Sequence, residues 1–121
     1  MADYLPLHRE SNSPTYAASA DIVGGRLVEI TGPNAVAHAA AGSTKWVGVA
    51  ARDTKAGEDV TVFVGGVQLP TASGAIAAGD ALVCADGGKV AANQSPTALT
   101  LVGIAQTSAA DGKTVEAVFN R

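Results

Sequence analysis

The sequence predicts a small all-β domain, duplicated internally into a barrel or compact sandwich and preceded by an extended N-terminal arm. Three observations carry that reading. From Gly24 onward, short runs rich in Val, Leu, Ile and Thr are punctuated by Gly and Asp, the pattern of strands joined by turns. No stretch holds a helical apolar stripe; Ala75–Ala78 reads as one turn at most. Several landmarks also recur at one fixed offset.

Residues 1–20 form the arm and 21–121 the domain. The arm carries Pro6 and Pro14, which favour extended backbone, and a charged run at His8, Arg9 and Glu10. Disordered tails are poor in aromatic and apolar groups, whereas this one holds Tyr4, Leu5, Leu7 and Tyr16. Two readings stay open: an arm that orders on a partner, or a first strand folded back on its own domain.

Strands are expected at 26–31, 36–39, 45–52, 59–64, 81–85, 89–92, 100–106 and 114–119. Gly32-Pro33-Asn34 and Asp86-Gly87-Gly88 supply hairpin turns, because Gly accepts positive φ without a steric penalty. Leu27-Val28 recurs as Leu82-Val83, Gly48 as Gly103, Gly57 as Gly112 and Val60 as Val115, each 55 residues on (103 − 48). Val36-Ala37 returns as Val90-Ala91, one residue closer, and Trp46 falls on Leu101. Segments of about 24–64 and 79–119 are therefore pseudo-repeats of a four-strand unit. Alone, each would leave a bare edge and a half-covered apolar face, so the copies are expected to cover each other. The joining segment, 65–80, reads as a crossover loop over the barrel surface. Trp46, Phe63, Leu101 and Phe119 are expected in the core.

Composition narrows the function. At 121 residues the chain supports one domain. Hydrophobic residues make up 47% but aromatics only 4%, so the core rests on Val, Leu, Ile and Ala. Such a core predicts a marginal monomer with reason to gain stability from partners. The net charge is −3 and the basic residues are scattered, which argues against nucleic acid. The single cysteine, Cys84, excludes an intrachain disulfide. With no signal pattern and no long apolar run, the expectation is a soluble protein made in a host cytoplasm, with no membrane partner.

Each catalytic template fails. Gly112-Lys113-Thr114 resembles the end of a phosphate loop, but Thr107 stands where the first Gly is needed and a β-run follows. His8 and His38 lack companions at metal-ligand spacing, and His38 reads as an ordinary rim residue. Glu58-Asp59 reads as a solvated turn pair. Cys84, placed against Glu29 of the first copy, reads as a half-buried apolar-like thiol. No Gly-x-Ser-x-Gly elbow is present. No catalytic residue, metal or cofactor is expected.

The ordered pieces Gly24-Gly-Arg-Leu-Val-Glu-Ile-Thr, Val47-Gly-Val-Ala, Gly57-Glu-Asp-Val-Thr-Val, Gly66-Val-Gln-Leu-Pro, Ala75-Ile-Ala-Ala-Gly-Asp-Ala-Leu-Val and Val102-Gly-Ile-Ala resemble the tailed-phage capsid decoration, or capsid cement, proteins. The similarity runs from about residue 20 to the end. It implies a β-barrel or β-tulip-like domain with an extended arm. It also implies binding to the major capsid protein on the outside of the head, as a homotrimer at local symmetry axes, with no cofactor. On that reading Tyr4, Leu5, Leu7 and Tyr16 are the candidates for docking to the shell, and Gln68, Leu69 and Pro70 are the second contact candidates. The last three could equally pack on a sister subunit.

Two alternatives come from other classes. Lys89 after Gly87-Gly88 resembles the hairpin-tip lysine of a small carrier domain, without the flanking residues of those motifs; intact mass after expression with a ligase separates the two. A receptor- or sugar-binding module of a tail or fibre is the other, but such sites usually expose several aromatics on one face, and this chain has five in all.

Overall fold

The computed structural model describes residues 14–120. They form ten strands and a short 3₁₀ turn, with no α-helix among them: β1 Thr15–Ala18, β2 Leu27–Gly32, β3 Ala35–His38, β4 Trp46–Ala50, β5 Asp59–Phe63, β6 Val67–Gln68, β7 Ala81–Ala85, the turn Asp86–Gly88, β8 Lys89–Ala92, β9 Leu101–Ala105 and β10 Ala117–Phe119. The all-β expectation holds. All eight expected strands are present, most of them trimmed or shifted by a residue or two; the last is the exception, beginning at Ala117.

Two sheets of matching order result. The first is a closed barrel, β1-β3-β2-β4-β5, and the second runs β6-β10-β9-β7-β8. In the first, β1 closes the barrel by pairing parallel with β3 and antiparallel with β5. Residues 65–80, expected as a crossover loop, instead build the same element of the second unit. Val67 and Gln68 pair with Val118 and Ala117, Thr71 bridges Thr114, and Ala72 bridges Val90 in parallel. The backbone bonds match one for one. Ala18 N–H donates to Glu58 O and Ser19 N–H to Val36 O; Ala72 N–H donates to Lys113 O and Ser73 N–H to Val90 O. Each repeat thus has five strands, and begins well before the four-strand unit read from sequence.

The register also corrects the alignment of the copies. Val28 pairs with Gly48, and Leu82 with Gly103, each just before a bulge. Val28 therefore corresponds to Leu82, and Leu27 to Ala81. By the same count Cys84 corresponds to Ile30, not Glu29, and is buried. Up to β8 the offset is 54, and the β8–β9 loop adds the residue that makes it 55. Matching identical dipeptides had slipped the first part by one residue, which in a strand exchanges the two faces.

Each unit has its own core. In the barrel, Ala18, Ile22, Val28, Val36, Val60 and Val62 are buried together, with Tyr16 and Ile30 packed against them. The second core contains Leu82, Val90, Val102, Val115, Ala117 and Phe119, and four residues of the first unit: Leu27, Ala39, Trp46 and Val49. Those four lie outside the barrel core, and the second unit covers them. The Trp46 and Phe119 rings meet edge to face, with centroids 5.7 Å apart. Gly42 N–H donates to Cys84 O at 2.9 Å and Gly88 N–H to Ala39 O at 3.0 Å, fastening the units through backbone. Gly88 fits because it lacks a side chain: its φ is +78°, and a Cβ there would lie 2.6 Å from Leu27 O.

Phe63 and Leu101 depart from the expected core. Phe63 is exposed and Leu101 only half-buried. In β5, Val60 and Val62 point inward, so alternation turns Phe63 out; its counterpart is Val118, not Phe119.

Candidate docking surfaces

Several carboxylates of the described residues hold loops in place. Asp53 Oδ1 accepts the Gly24 N–H at 2.8 Å, Asp21 Oδ1 the Ala56 N–H at 2.9 Å, and Glu58 Oε1 the Lys55 N–H at 3.3 Å. These three line a shallow cleft with Ile22, Val23 and Thr54. The second unit uses the same device, with Asp111 accepting from Gly74 N–H and Asp80 from Ala77 N–H. Among the described residues no three His, Cys, Asp or Glu side chains come together as a metal site. Lys89 is half-buried in β8, opposite Ala85.

His38 ends β3, and its Nε2 accepts the Val23 N–H at 2.9 Å. Burial, and then the nearby Arg26 charge, hold its pKa below the ordinary 6.5. The unfolded chain therefore takes up a proton at this residue first as pH falls through about 6.5. Stability contributed by neutral His38 is present above that pH and is lost below it. The urea midpoint should drop between pH 7 and pH 5, and His38→Gln, which keeps an acceptor but no titration, should flatten that drop.

Of the sequence-derived docking candidates, Tyr4, Leu5 and Leu7 lie outside the described residues. Tyr16 stands in β1, half-buried, lining a groove with Pro14, Pro33, Asn34 and Asp59 where the arm joins the barrel. Gln68 is half-buried in β6 and donates from Nε2 to Gly65 O at 2.9 Å. Leu69 is 57% exposed, while Pro70 is buried and its carbonyl accepts the Val115 N–H.

Sequence reading missed an exposed apolar row. Val67, Val118, Ile104 and Ala81 are direct cross-strand neighbours on β6, β10, β9 and β7. They form one row on the outward face of the second sheet, and the first three are 54%, 42% and 44% exposed. The signal was in the sequence: Leu101–Ala105 is apolar on both faces, as in a strand covered from both sides.

Fold and surfaces together describe a duplicated β module that carries an exposed apolar row on its second sheet. A family model described as phage cement protein matches residues 8–120, so the chain belongs to the phage cement protein family. Among solved structures it is similar to the head fiber gp8.5 N base of bacteriophage phi29, with TM-score 0.74 and 24% identity over 90% of this chain and 93% of that one. At that identity the likeness shows the fold alone. No curated protein sequence matches. The protein is thus a capsid-associated structural protein of a phage virion.

Proposed function

We propose that this protein binds the outer surface of the assembled phage head, contacts the major capsid protein as a homotrimer at local symmetry axes, and stabilises the lattice without catalysing a reaction. The family match over nearly the whole chain is the observation that carries this reading. A ligand that binds only the assembled shell stabilises it by mass action, and a module repeated across a lattice multiplies weak contacts. Neither step needs a cofactor, nucleic acid or a reactive group. The arm, with Tyr4, Leu5 and Leu7, adds contacts to capsid subunits.

The test uses purified protein added to shells lacking it. Saturable occupancy and a raised shell melting temperature are expected; absence of binding to intact shells sinks the reading. Truncation separates the arm from the domain. Removing residues 2–13 leaves every described strand in place, so occupancy should fall at least tenfold, about 1.4 kcal/mol, with the melting temperature of the free protein unchanged. Removing 2–16 also takes Thr15 and Tyr16 from β1 and should lower that temperature as well. Unchanged occupancy after the shorter deletion would return the arm to a bystander.

A further inference from the structure

We propose that the outward face of the second sheet, centred on Ile104 and Val118, is a self-association surface that receives a second copy of this chain; this deepens the homotrimer reading above and rests on it. The internal duplication carries the inference. On the first unit, the outward residues Leu27, Val49 and Trp46 are buried, because a module of the same fold packs on them. The strand register assigns each a counterpart on the second unit: Ala81, Ile104 and Leu101. All three are apolar, yet Ile104 is 44% exposed and the others are half-buried.

The surrounding features match too. The β3–β4 loop of the first unit grips the second through Gly42 N–H and Cys84 O. Its counterpart, the β8–β9 loop, leaves Leu99 62% exposed. A surface buried within the chain on one unit is therefore partly exposed on the other, among the described residues. It also extends to Val118 and Val67 without a charged side chain in the row. Apolar cross-strand rows of this kind mark association sites, and an uncharged row offers an acidic or basic partner nothing to pair with. The occupant the duplication favours is a second copy of this chain, since a β unit of the same fold covers the equivalent face. Repetition of one such contact between copies closes into a ring when the rotation allows.

Sedimentation velocity on the full-length protein tests this, with three chains compared: wild type, the double variant Ile104→Glu/Val118→Glu, and Val23→Gln as a control. Val23 is equally exposed at 44% but belongs to the first unit, where it lines the cleft with Asp21, Asp53 and Glu58. Wild type and control should sediment as the same multiple of 11.9 kDa, and the double variant as a single chain with association weakened about 30-fold or more. Circular dichroism and melting temperature should agree across the three. Should the double variant fail to fold, Ile104→Ser/Val118→Thr replaces it, with the same shift expected in direction. A wild-type monomer at roughly 100 μM, or a double variant of wild-type mass, overturns the proposal. So does a monomeric wild type whose binding to shells is lost in the double variant, which would give the face to the capsid protein. Association that is lost in the double variant supports the proposal even where wild type does not bind shells; that second result would remove the decoration reading alone.

Discussion

Replacing Trp46 with alanine should destabilise the protein by about 3–5 kcal/mol and loosen the two units from each other. Trp46 is fully buried, yet it lies on the outward side of the barrel strand β4, away from the barrel core. Its ring fills the second unit's core against Phe119. Truncation removes the largest buried side chain and opens a cavity at the junction, where backbone bonds from Gly42 and Gly88 restrict collapse. The loss should fall unevenly. Native-state hydrogen exchange should show β7, β8 and β9 opening at lower free energy while β2 and β3 keep more of their protection, since the barrel closes without Trp46. Uniform loss across both sheets, or a cost below about 1 kcal/mol, would show that the ring does not join the units.

That junction marks the limit of what the sequence could tell. Strand positions were legible, because Val60-Thr61-Val62 alternates and turns such as Asp86-Gly87-Gly88 need Gly; Gly87 and Gly88 do adopt positive φ. The duplication was legible through Gly48 and Gly103. The faces were not. Alternation says which side chains share a face, and only the partner strand says which face is inside. Matching Leu27-Val28 to Leu82-Val83 by identity slid one copy by a residue, and so hid that Leu27 and Ala81 share the outward face. Of the two remaining strands, β1 matches one of the two readings left open for the arm, and β6 was read as part of a crossover loop. They are four and two residues long and are defined by distant partners rather than local pattern. The contact surface suffered most: Leu69 was named, but Ile104 and Val118 were not, although the exposed Gln106 and Glu116 alternate with them and mark their side of the strand as outward.

Gly103→Ala should cost on the order of 3 kcal/mol, far above the usual effect of adding one methyl to a strand. A Cβ at Gly103 would collide with the carbonyl oxygen of Val118 and lie 2.9 Å from its carbonyl carbon. The obstruction is backbone, so no rotamer change relieves it; β10 must move away from β9. The φ of Gly103 is not in the left-handed region, so this is a demand for space between strands and not for backbone freedom. The first copy repeats it at Gly48, where a Cβ would collide with Phe63 O and lie 2.9 Å from Val62 Cγ1. Two glycines 55 residues apart thus answer the same crowding at the same place in each unit. Gly48→Ala should therefore destabilise by a similar amount, with β4 and β5 exchanging fastest, while Gly103→Ala speeds exchange in β9 and β10. Urea titration with hydrogen exchange on both variants checks this. Either alanine accepted within about 0.5 kcal/mol would mean the strands can part at no cost, and the glycines' shared position would need another cause.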